Sequence, residues 1–151
     1  MLFYTHLLFS VLIGLYLLPY FNFNKIIFIS LIAFFSLVLD IDKANSKLGK
    51  KLGLISILIN FIFGHRKLFH SLLFIVAGYL ILSFSSLLAI SFLIGTLSHL
   101  ILDSFTKEGV RPFYPLKFHI RNYIKTGSII EIILAIIFLL LIIIKMSRTV
   151  S

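Results

Sequence analysis

Apolar residues run along this chain in long blocks, and polar residues collect in the breaks between them. Five blocks stand out: Leu2–Tyr20, Ile26–Leu39, Leu72–Leu82, Leu87–Leu102 and Ile129–Ile144. Each predicts a membrane-crossing helix. Several fall short of the ~20 residues a span usually needs, so flanking residues must complete them or the bilayer must thin. Pro19 and the Asn-rich "YFNFNK" close the first block, and the Ser-rich "SFSS" ends the third. A weaker run, Leu52–Phe63, follows the basic "KLGKK" and predicts a short interfacial or re-entrant helix. There is no internal repeat and no low-complexity tail. The expected architecture is all-α: a polytopic membrane bundle of about five transmembrane helices, forming a single domain over residues 1–151. The first block lacks a basic leading region and a small-residue cleavage site, and so reads as a retained helix rather than a signal peptide.

Composition supports this reading. Of the 151 residues, 60% are hydrophobic and only 13% charged, too few polar side chains to cover a soluble domain of this size. Mean hydropathy is +1.15. The absence of Cys excludes disulfides and thiolate metal sites, so any metal must be held by imidazoles and carboxylates. With no Trp, the six tyrosines are the candidates for interfacial anchors. The net charge of +9 would suggest nucleic acid in a soluble chain. Here no aromatic-basic module accompanies it, and it is better explained by cytoplasmic loops and anionic lipid. Membrane lipids are the expected partners, and nucleic acid is not.

Five spans place the ends of the chain on opposite sides of the membrane. The side that holds residue 1 then receives Lys43, Lys47, Lys50, Lys51, Arg66, Lys67, Lys107, Arg111, Lys117, Arg121 and Lys125, eleven of the fourteen cations. The other side receives Lys25, Lys145 and Arg148. The positive-inside rule makes the richer side cytoplasmic, with the C-terminus outside. All five histidines and all five acids fall at or near that same side. No topological bias collects acids in this way, so the pattern suggests a polar site at one mouth of the bundle.

Its candidate members come from separate motifs. "GTLSHLILDSF" sets His99 and Asp103 four residues apart, on one helical face, where both can ligate one cation or the carboxylate can orient the imidazole. Taken alone, the pair also fits a plain His–Asp hydrogen bond. "LVLDIDKANS" carries Asp40 and Asp42, which repel unless a cation or a basic group neutralises them. "FGHRKLFHSLLF" adds His65, Arg66, His70 and Ser71. Neutral imidazoles suit zinc, manganese or iron, the Arg66 fork matches a phosphate, and Ser71 is placed to cap the third helix. His6 lies one turn into the first span. Glu131 lies near the start of the fifth, where a carboxylate is costly unless paired. His119 sits among basic residues and reads as a surface histidine. The turn-rich "DSFTKEGVRPFYPLKFHIR" after Asp103 is either a roof over the site or an ordinary connection.

These motifs, in the order His6-Leu-Leu-Phe-Ser, Asp40-Ile-Asp42 with Ser46, Gly64-His65-Arg66 with His70-Ser71, Ser98-His99 with Asp103, and Thr106-x-x-Gly109-Val110, resemble the YdjM-like family of membrane-bound proteins classed as metal-dependent hydrolases. The resemblance runs from His6 to Glu131 and implies a multi-pass inner-membrane protein. The family is in turn distantly similar to the zinc-dependent phospholipase C and zinc nuclease fold, whose metal-ligand places His6, Asp40, His70 and the His99–Asp103 pair would fill. Two positions depart from the family pattern: Leu39 stands where Pro usually precedes the first Asp, and Phe69 where Thr usually precedes the second His.

The expected function is a membrane-embedded metal-dependent hydrolase. It would act on a phosphoester of a lipid or amphiphile at the cytoplasmic face of the inner membrane. One or two divalent ions, zinc first and manganese or iron next, would be held by His6, Asp40, His70, His99 and Asp103. Asp42 and His65 are further ligands or supports, Arg66 would stabilise developing charge, and Glu131 is a further ligand or the general base. Two rivals stand beside it. One is an ion or small-solute transporter, whose site would normally lie nearer the midplane. The other is a non-catalytic scaffold that a metal merely staples.

Overall fold

The computed structural model describes residues 1–42, 53 and 68–150. Its described residues form five α-helices: α1 (Phe3–Leu17), α2 (Lys25–Val38), α3 (Leu72–Ile81), α4 (Ser86–Ser104) and α5 (Ile129–Val150). The predicted run Leu52–Phe63 lies outside the described residues. Local chemistry fixes several helix boundaries. α1 passes into a 3-10 turn, Leu18–Tyr20, at Pro19, which has no N–H to continue an α-helical ladder. The Asn24 side chain caps α2 by accepting from the N–H groups of Ile26 and Ile27. Ser71 caps α3 as its sequence position suggests, accepting from Phe74 N at 3.3 Å. α5 continues past Ile144 to Val150, and the cations Lys145 and Arg148 sit at the end where the helix dipole favours them.

Three helices, Phe3–Tyr20 (with its 3-10 turn), Ser86–Ser104 and Ile129–Arg148, are long and apolar enough to cross a membrane. Lys25–Val38 and Leu72–Phe84 are shorter apolar helices. α4 lies at the centre, in contact with α1, α2 and α3, while α5 packs on α1. Burial is inverted relative to a soluble protein. Leucines and isoleucines along α5 face outward, whereas Thr5, His6, Ser36, His70, Thr96, His99, Asp103 and Glu131 are fully buried. Such an exterior is suited to lipid. Two buried hydroxyls of α4 bond within their own helix: Thr96 donates to the carbonyl of Phe92 at 2.6 Å and Ser98 to that of Gly95 at 2.8 Å.

Gly95 sets a close backbone approach between α2 and α4. A Cβ there would stand 2.6 Å from the carbonyl oxygen of Ile32 and 2.9 Å from Ser36 N, both backbone atoms of α2. A small residue at this position therefore lets two helix backbones meet. Gly95→Ala should force α2 and α4 apart and destabilise the protein by about 1–3 kcal/mol, the usual cost of overpacking. Thermal melting in detergent checks this, and an unchanged midpoint would show that the two helices can separate freely.

The segment after α4 is folded back on itself by short backbone pairings rather than strands. Val110 pairs with Ile120 and Thr106 with Ile124. Gly109 holds a left-handed φ of +64° with its N–H bonded to Thr106 Oγ1 at 3.1 Å. Val110 packs with Ile75 and Leu100, and Pro112 accepts from Leu72 N at 2.7 Å. The loop is thus bound to the end of α4 and the start of α3, where the histidines gather.

Candidate metal centre

Four elements bring their polar residues to one end of the bundle. His6 comes from the first turns of α1, Asp40 from the 3-10 turn Leu39–Asp42 after α2, and His70 from just before the Ser71 cap. His99 and Asp103 come from the last turns of α4. His6, His70, His99 and Asp103 are fully buried and Asp40 is half-buried.

Asp103 is the hub. Its Oδ2 lies 3.6 Å from His99 Nε2 and 3.7 Å from His70 Nε2, and those two nitrogens are 3.3 Å apart. Its Oδ1 lies 3.3 Å from His6 Nε2 and accepts from Met1 N. The His6 ring stacks on that of His99, with centroids 3.7 Å apart and planes within 6°. One donor atom each from His6, His99 and Asp103 fits within 4.8 Å, as does one each from Asp40, His70 and His99.

The tautomer of His99 follows from its partner. Its Nδ1 bonds the backbone carbonyl of Ser36, and a carbonyl only accepts, so Nδ1 carries the proton. Nε2 of the same ring faces a carboxylate oxygen and a second imidazole nitrogen. Three electron-rich atoms facing one another repel unless a proton or a cation lies between them. The edges of that triangle, 3.3, 3.6 and 3.7 Å, place its centre about 2.1 Å from each corner, the length of a zinc–imidazole bond. A backbone carbonyl that holds Nδ1 and aims Nε2 is also the usual support of a metal-ligating histidine. His6 Nδ1 is buried without a hydrogen-bond partner among the described residues, which marks this end as polar beyond what the chain itself satisfies. The donor set therefore fits a divalent cation held by nitrogen and oxygen.

The other sequence candidates fall elsewhere. Both oxygens of Glu131 are engaged by neighbouring chain groups: Oε1 accepts from Leu2 N and from Thr5 Oγ1 at 3.0 Å, and Oε2 from Gly127 N at 2.6 Å. It belongs to neither donor group. Asp42 closes the 3-10 turn, but its side chain lies outside the described part, as do His65 and Arg66. His119 is exposed and its Nε2 bonds the carbonyl of Glu108 at 3.0 Å, in keeping with a surface role. Sequence reasoning missed the Ser36 carbonyl, because no side chain marks it. The available signal was Gly95, one turn before His99, which lets α2 come close enough for that bond.

A helical membrane protein with a buried His–Asp cluster at one end of its bundle is the class that fold and site define. Within that class the chain belongs to the YdjM inner membrane protein family, whose family model matches residues 1–150. It is also similar to the "Uncharacterized protein YvsG" of Bacillus subtilis (strain 168). The two are 34% identical over 117 residues, 74% of this chain and 73% of the relative. No solved structure matches the chain.

Proposed function

We propose that this protein is a membrane-embedded metal-dependent hydrolase that cleaves a phosphoester in a lipid or other amphiphile. The observation that carries this reading is the convergence of His70 Nε2, His99 Nε2 and Asp103 Oδ2 with the His99 proton fixed on the far nitrogen. Asp40, His70, His99 and Asp103 would hold the ion, with His6 on the other carboxylate oxygen of Asp103 and Asp42 and His65 adding ligands or support. Zinc is the first choice for this donor set, then manganese or iron. The chemistry such an ion supplies is Lewis acidity and the activation of water near neutral pH. The chain's own part is to aim the His99 imidazole, through the Ser36 carbonyl and the close α2–α4 contact at Gly95. Arg66 would stabilise charge that develops on the phosphoryl oxygens. The outward-facing apolar helices supply the bilayer setting in which a lipid substrate is at hand.

The test is hydrolysis by purified protein in detergent, after loading with zinc, manganese or iron, of a chromogenic phosphodiester and of short-chain phospholipids. Turnover that a chelator abolishes and the same metal restores is the expected result. A protein that keeps its metal but turns over nothing would support the scaffold reading, and solute flux in proteoliposomes without hydrolysis would support a transporter. The cytoplasm is the proposed side for the centre, so a reporter fused after Ser151 should read the outer side. A cytoplasmic reading there would overturn this orientation.

A further inference from the structure

At the end of the bundle away from the metal centre, α1, α2 and α5 leave a cleft of about 290 Å³. Leu15, Leu18, Pro19 and Ile29 give it apolar walls, and Lys25 and Lys145 stand in its lining. An adjoining hollow of about 280 Å³ shares Leu15, Lys25 and Ile29 and extends along Val11. These two lysines belong to different helices, 120 positions apart in sequence, and are two of only three cations assigned to this side of the bundle. Cations that served only as flanking anchors would have no reason to share one cleft. Lys145 is half-buried, and its ammonium lies 4.8 Å over the ring of Tyr16, an arrangement that restrains it beside the cleft.

We propose that this cleft binds one anionic phospholipid, with its phosphate at Lys25 and Lys145 and an acyl chain along Leu15, Ile29 and Val11. Three observations select that occupant. Among the described residues no acidic side chain lines either hollow, so the local field favours an anion. The walls are apolar, which suits a hydrocarbon chain and not a hydrated free phosphate. The surrounding faces of α2 and α5 expose Ile26, Ile27, Ile143 and Ile144, so the cleft opens to lipid. The occupant thus lies in the leaflet opposite the metal centre, and the proposal is independent of what that centre does.

Native mass spectrometry of the detergent-solubilised protein, titrated with phosphatidylglycerol or with phosphatidylcholine of the same chains, tests this. Wild type should retain one phosphatidylglycerol in preference to phosphatidylcholine by about tenfold or more, and Lys25→Gln with Lys145→Gln should remove that preference. Ile29→Trp, which keeps both charges but fills the cleft, should also weaken retention. Lys107→Gln with Lys117→Gln, in the loop at the other end, should leave it intact. Equal retention of both lipids by wild type, or full retention by Ile29→Trp, would overturn the proposal even if the double lysine variant failed to fold.

Discussion

Asp103→Ala should cost at least about 100-fold in metal affinity and remove turnover with it. The magnitude follows from the position of Asp103 as hub. Its Oδ2 faces His70 and His99, and its Oδ1 faces His6 and Met1 N. Loss of a group that merely supports a ligand typically costs 10–100-fold, so loss of a carboxylate that faces His6, His70 and His99 together should exceed that range. Asp103→Asn sharpens the test. It keeps shape and one acceptor oxygen but loses the negative charge, so it should retain the helical fold and still lose metal. Isothermal titration with zinc, beside a helical spectrum for each variant, measures both quantities. If Asp103→Asn bound zinc as tightly as wild type, the carboxylate would have no part in holding an ion.

Glu131→Ala should act differently, on stability before metal. Removing this buried carboxylate leaves Leu2 N, Thr5 Oγ1 and Gly127 N without their acceptor. Unmet buried donors cost about 1–3 kcal/mol each, so a loss of about 3 kcal/mol is expected even with partial compensation by solvent or lipid headgroups. Because Leu2 and Thr5 begin α1, the same change should loosen the helix that carries His6. Glu131→Gln, which keeps one oxygen to accept, should fall between the two. A melting curve in detergent and a metal assay on the same sample separate the roles. A lowered midpoint with metal largely kept is the result for a residue that ties α1 to α5. An unchanged midpoint with metal lost would instead return Glu131 to the ligand set.

The contrast between Asp103 and Glu131 shows what a reading of the sequence reaches. Both are acids inside apolar runs, and by energetic cost alone both are site candidates. His99 and Asp103 lie on one helix, so their four-residue spacing already puts them on one face. The partners of Glu131 are backbone groups near the start of the chain and in the turn before α5, which no spacing rule connects. The end-level grouping of Asp40, His70, His99 and Asp103 was legible because alternating helix directions bring those positions to the same side. The stacking of His6 on His99 was not, since it depends on how α1 rotates about its axis. The five apolar runs anticipate five helices because the blocks are bounded by real cap chemistry at Asn24 and Ser71. The end of the last helix was missed because its apolar run stops at Ile144 while Lys145–Arg148 remain helical.

The central claim is that the buried histidines and aspartates exist to hold a metal ion. Elemental analysis of detergent-purified protein, wild type beside His99→Ala, tests it most directly. Near-stoichiometric zinc, manganese or iron in the wild type, falling sharply in the variant, is the result predicted here. No metal in either protein after supplementation would contradict it, leaving a buried ion-pair cluster in place of a metal centre.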